Sequence, residues 1–85
     1  MNQGTTVFKV QNHKSIVAAS KVVWDEGECP HRVVLRKDRD EYTTHMENLI
    51  LCGDTFESYG FHWGHYFMLD EARAKEDYLE RVKKL

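Results

Sequence analysis

Residues 56–68, FESYGFHWGHYFM, hold six of the ten aromatic side chains of the chain and two of its five histidines. Between positions 59 and 63 they alternate: Tyr59, Phe61 and Trp63 fall on one side of an extended strand, and Gly60, His62 and Gly64 on the other. The aromatic side is expected to face a core. The other side presents one imidazole between two residues without side chains, an opening where a backbone, a helix or a ligand can come close to the sheet. After Gly64 the alternation stops, because His65, Tyr66, Phe67, Met68 and Leu69 are all bulky. A bulge or corner that hands the strand to a following helix is expected there. The plain alternative to a working surface is the central strand of a small core and its exit.

Downstream, residues 69–85 read as a helix. Asp70 and Glu71 lie in the first turn and Lys83 and Lys84 in the last, as the helix dipole prefers. Glu71 with Lys75, Asp77 with Arg81 and Glu80 with Lys84 place an acid four residues before a base. Ala72, Tyr78, Leu79, Val82 and Leu85 form a narrow apolar stripe that a sheet or a partner must cover.

Upstream the chain reads as strands. Residues 5–10 (TTVFKV) are β-branched and aromatic, and the polar run Gln11, Asn12, His13, Lys14 closes them as a turn. Residues 16–24 favour a second strand, with Ala18 and Ala19 leaving a helix open. Residues 25–30 (DEGECP) hold three acids, Gly27 and the single proline, and form a surface loop. Residues 31–37 alternate Val33 and Leu35 against Arg32, Val34 and Arg36, a third strand with a largely basic outer face. A turn at Asp38, Arg39, Asp40 and Glu41 leads to a fourth strand over 42–51, with Tyr42, Thr44 and Met46 opposing Thr43, His45 and Glu47. Cys52, Gly53 and Asp54 supply the turn before the aromatic strand. Strands first and helix last predict an α+β domain over residues 1–85: a mostly antiparallel meander of about five strands, packed with one C-terminal helix.

A single domain of 85 residues has a marginal core unless a partner, a metal or a second copy helps, so a homodimer is one expectation. A net charge of −2, from 12 basic and 14 acidic residues, exerts no global pull toward nucleic acid. The absence of a bilayer-length apolar run or a secretory leader pattern leads to an expectation of a cytoplasmic protein with no membrane partner. Cys29 and Cys52 are expected as free thiols.

Four chemistries compete for the remaining signals. Cys29 with His31 makes C-x-H and His62 with His65 makes H-x-x-H, with His45 and Cys52 as further zinc-type ligands. His62 and His65 would point to opposite faces of an unbroken strand, although a bulge at Gly64 would bring them together. No metal and no cofactor is assigned. For catalysis, a cysteine with a histidine, or a histidine with Glu47 or Glu57, is the available pairing. The chain has no nucleophile motif, phosphate-cradling loop or acid-rich metal box, and is expected not to be an enzyme. For nucleic acid, the run Tyr59, Gly60, Phe61, His62, Trp63 resembles the aromatic RNA-contacting motif of RRM domains, without its leading basic residue or the helices between strands. Arg32, Arg36, Lys37 and Arg39 would then face phosphates. For protein binding, Trp24 beside the acidic loop is the preferred anchor, and His62, His65 and Tyr66 form a second patch.

A short acidic domain without an enzyme motif also resembles, in style, the small accessory proteins of tailed phages. That resemblance implies a stoichiometric modulator or inhibitor of a host protein in the bacterial cytoplasm. The expected function is a non-enzymatic protein-binding modulator, acting through Trp24, His62, His65, Tyr66, Arg32 and Arg36. A single-stranded nucleic-acid binder using the aromatic strand at 59–67 is the alternative.

Overall fold

The computed structural model describes residues 8–85. Among these, five strands form one sheet with a helix after it: β1 (Lys9–Val10), β2 (Ile16–Ala19), β3 (His31–Asp38), β4 (Glu41–Cys52), β5 (Thr55–Tyr66) and α1 (Glu71–Lys83). The α+β class and the strands-then-helix order agree with the sequence. Half of the first expected strand, over residues 5–10, lies outside the described residues, and its end is seen as β1.

The sheet runs β1-β5-β4-β3-β2, and it is mixed. Strands β2 to β5 form the expected antiparallel meander, but β1 pairs parallel with β5, Lys9 beside Thr55 and Val10 beside Phe56. The cause lies in the connection. Consecutive strands β1 and β2 occupy opposite edges of the sheet and are joined by residues 11–15 alone. In a flat sheet those edges would lie about 19 Å apart, close to the roughly 20 Å that such a link spans when fully extended. The link is not extended, since Ile16 N–H donates to His13 C=O at 3.0 Å in a tight turn. The sheet therefore curls until its edges approach, and the link crosses its concave side.

The β3–β4 hairpin turns on Arg39 and Asp40, with Asp38 paired to Glu41 and Arg39 in the left-handed region at φ 56°. The β4–β5 hairpin turns on Gly53 and Asp54, where φ of 67° at Gly53 suits a residue without Cβ. The β3–β4 ladder runs without interruption, so its cross-strand pairs assign the faces. Arg32, Val34 and Arg36 lie with Glu47, His45 and Thr43 on one face, and Val33 and Leu35 lie with Met46 and Thr44 on the other. Helix α1 covers the second face. Its Ala74 is fully buried, and its Asp77 accepts a hydrogen bond from Thr44 Oγ1 at 2.5 Å. The first face is the inside of the curl. There His13 packs edge-on to Phe61, and Ser15 Oγ accepts from Arg36 Nε at 2.8 Å.

The helix begins as its sequence dictates, with Asp70 as N-cap accepting from Arg73 N–H at 3.1 Å. Glu71–Lys75 and Asp77–Arg81 pair as expected, at 3.3 and 3.4 Å, whereas Glu80 pairs with Lys83 rather than Lys84. The expected apolar stripe is displaced. Tyr78 and Val82 of that stripe are half-buried, but Ala72, Leu79 and Leu85 are exposed, and the sheltered row is completed by Ala74, Asp77 and Arg81. Polar anchoring to the strand ends, rather than apolar burial alone, sets the rotation of the helix.

The second expected strand is also shorter than its sequence suggests. It ends at Ala19, and Val23 returns for an isolated bridge to His31. Ser20 causes the break, because its Oγ accepts from Val33 N–H at 2.9 Å.

Candidate docking site at the aromatic strand

The reading of β5 as aromatic side in, small side out is overturned. Tyr59 is 70% and Trp63 76% exposed, while Phe61 alone of the three turns into the curl. Two bulges break the alternation. Asn48 pairs with Gly60 but Leu49 pairs with Ser58, leaving Tyr59 as the extra residue. Thr44 pairs with His65 but Met46 pairs with His62, so Trp63 and Gly64 together oppose His45. Trp63 takes the left-handed conformation, φ 53°, and Arg81 of α1 caps its carbonyl. The face expected to be open is closed at Gly64. A Cβ there would lie 2.5 Å from His45 Nε2 and 2.7 Å from the Tyr66 hydroxyl.

The same bulge brings His62 and His65 to one face, opposite Met46 and Thr44. They are nevertheless engaged separately. His65 Nδ1 bonds Asp77 Oδ2 at 2.9 Å, and the His62 ring leans over Gly60. Burial alone would raise the Asp77 carboxyl. The hydrogen bonds from Thr44 and His65 and the charges of His65 and Arg81 outweigh it and hold the group below the usual carboxylate range. Among the described residues, no three His, Cys, Asp or Glu side chains converge to hold a metal ion. His31 Nδ1 meets the carbonyl of Cys29 at 2.9 Å, and Cys29 and Cys52 are free and exposed.

The expectation of a basic outer face on β3 is corrected as well. Arg32 is 3% exposed and its Nε bonds Glu47 Oε1 at 2.7 Å inside the curl. Arg36 lies over the Phe61 ring at 4.0 Å, on the concave side. Neither guanidinium stands beside the exposed aromatics, because the curl that the 11–15 link imposes turns this face of β3 inward.

What the fold does assemble is an apolar groove where the loop at 25–30 meets the far ends of β4 and β5. The loop closes as a tight turn, Glu28 N–H to Asp25 C=O at 3.0 Å. It is tied to β4 at Leu49, whose N–H donates to Pro30 C=O at 2.8 Å and whose C=O accepts from Cys29 Sγ at 3.5 Å. Trp24, Cys29, Pro30, Leu49, Ile50, Leu51 and Tyr59 line the groove, and its volume is about 270 Å³. Trp24 is 50% exposed, and its ring is held edge-on by Phe56 at 5.5 Å and Phe8 at 6.3 Å. Past Cys29 a second hollow of about 340 Å³ continues the strip, bounded by Glu28, His31, Met46 and Trp63. Trp24 and the acidic loop could be singled out from the sequence. Tyr59 and Trp63 could not, since the bulges that expose them depend on pairing with β4.

No family model, curated protein or solved structure matches the chain.

Proposed function

We propose that this chain is a small non-enzymatic protein-binding module that docks a partner on the strip from Trp24 through Tyr59 to Trp63, and so modulates that partner stoichiometrically. The observation that carries the reading is the outward display of Tyr59, Trp24 and Ile50 around one groove, with the exposed Trp63 on the hollow that adjoins it at Cys29. Exposed large aromatics gathered in one place are costly in water and are the usual anchors of interfaces. Trp24 is already held by Phe8 and Phe56, so little side-chain freedom is lost when it is covered. His62, beside Trp63 on β5, extends the strip. Tyr66 and His65, near the helix, belong to a separate contact region.

Single-stranded nucleic acid is the alternative, and the exposed rings of Tyr59 and Trp63 favour it. The charge around them does not. Glu28 lines the adjoining hollow and shares its loop with Asp25 and Glu26, whereas Arg32 and Arg36 are turned into the curl.

Affinity capture from cells that express the chain, with and without nuclease, tests both readings. The expected outcome is a protein partner that survives nuclease and is lost with Tyr59→Ala and Trp63→Ala. Loss of every partner on nuclease treatment would replace the first reading with the second.

A further inference from the structure

We infer that the groove between Trp24 and Tyr59 takes a proline-rich segment in the polyproline II conformation, with a lysine or arginine seated against the acidic loop. The inference rests on the protein-docking reading and names the partner's chemistry.

Three features of the groove select this ligand. Two of its lining residues, Trp24 and Tyr59, are aromatic and the others are aliphatic apart from Cys29, so what fills it is apolar and rigid rather than charged. The two lining rings also bring hydrogen-bond donors, the Trp24 indole N–H and the Tyr59 hydroxyl. A polyproline II segment has no internal hydrogen bonds and presents free carbonyls to such donors. Trp24 and Cys29 both line the groove, the tight turn that joins them carries Asp25, Glu26 and Glu28, and Glu28 lines the adjoining hollow. Three carboxylates there attract a cationic residue next to the apolar run and repel a phosphate backbone.

The competing peptide shapes fit less well. An added strand needs a regular row of free backbone groups along β5. Beyond the short β1 pairing, the bulges at Tyr59 and at Trp63–Gly64 interrupt that row, and Arg81 already takes the Trp63 carbonyl. An amphipathic helix needs one continuous trough for anchors across two turns, whereas the groove of about 270 Å³ meets the hollow beyond it only at Cys29.

The test uses the full chain and follows tryptophan fluorescence on titration with a synthetic peptide of prolines and leucines that ends in arginine. The comparison peptide has every proline replaced by alanine at the same length and charge. The expected result is saturable binding that weakens at least tenfold with the alanine peptide and about tenfold with Tyr59→Ala. Tyr59 is exposed at a bulge, so this variant keeps the wild-type melting temperature, and Trp24→Phe serves as a second variant that preserves the Phe8 and Phe56 contacts. Glu26→Gln with Glu28→Gln is expected to weaken binding several-fold and to flatten its dependence on salt. No binding, equal binding of the alanine peptide, or affinity unmoved by Tyr59→Ala overturns the inference. Selection from an unbiased peptide display library separates its failure from that of the docking reading. Ligands that need Tyr59 but lack proline remove the prolyl assignment alone, whereas ligands that ignore both Trp24 and Tyr59 remove both.

Discussion

Arg32 and Glu47 face each other across the β3–β4 ladder, Nε to Oε1 at 2.7 Å, and the Glu47 side chain is wholly out of water. Arg32 Nη2 and Glu47 Oε2 are buried without a further partner among the described residues. An ion pair so placed in a small domain is a weak source of net stability, because desolvating two charges offsets most of their attraction. Its effect is on register. A slip of β3 by one residue would carry Arg32 to the helix side, leave Glu47 alone inside the curl, and take Val33 and Leu35 off the helix side.

Removing one partner leaves the other charge buried and alone, so Glu47→Ala is expected to lower the unfolding free energy by about 3–5 kcal/mol. The double change Arg32→Met with Glu47→Leu is expected to restore or exceed the wild-type value. Urea unfolding of the three proteins checks this, and a double variant as unstable as the single one contradicts it.

Phe61 points into the curl while Tyr59 and Trp63 point to solvent. Phe61→Ala should therefore cost about 3 kcal/mol or more, and Tyr59→Ala and Trp63→Ala should stay within about 0.5 kcal/mol of wild type. Thermal melts of the three variants decide the facing of β5. Comparable losses at all three would return the two outer rings to the core.

Gly64 has no room for a side chain. In Gly64→Ala the new methyl meets the buried His45 ring and the Tyr66 hydroxyl, and the crowding is expected to cost about 1–3 kcal/mol. Tyr66 is exposed and can swing away, but His45 cannot. Hence His45→Ala should relieve much of the penalty and Tyr66→Ala only part of it, as a double-mutant cycle measures.

Acid should destabilise the fold in two stages. Burial, followed by the charges of Arg36, Arg81, His62 and His65, holds the His45 imidazole below its ordinary value. The unfolded chain therefore binds this proton first, and stability falls as pH drops below about 6.5. The Asp77 carboxyl is also held low, so its contribution is complete above the unfolded value near 3.9 and is lost as pH falls through the lower folded value. Stability measured against pH is expected to lose the upper stage in His45→Phe and the lower stage in Asp77→Asn. A wild-type profile flat between pH 7 and 5 would contradict the first assignment.

The elements that local chemistry can specify were legible in the sequence. The Asp70 cap, the acid-before-base pairs of α1, the Gly53–Asp54 turn and the alternation of β3 each depend on residues a few positions apart. Trp24 beside an acidic loop was legible as a candidate anchor for the same reason. The parallel placement of β1, the burial of Arg32 and the outward turn of Tyr59 and Trp63 were decided by the tertiary structure alone. Strand alternation states which residues share a face but not which face is enclosed, and here the short link at 11–15 curls the sheet until its basic side is inside. A bulge exists only relative to a partner strand, so β4 and its register determine which rings of the aromatic strand meet the core and which meet solvent.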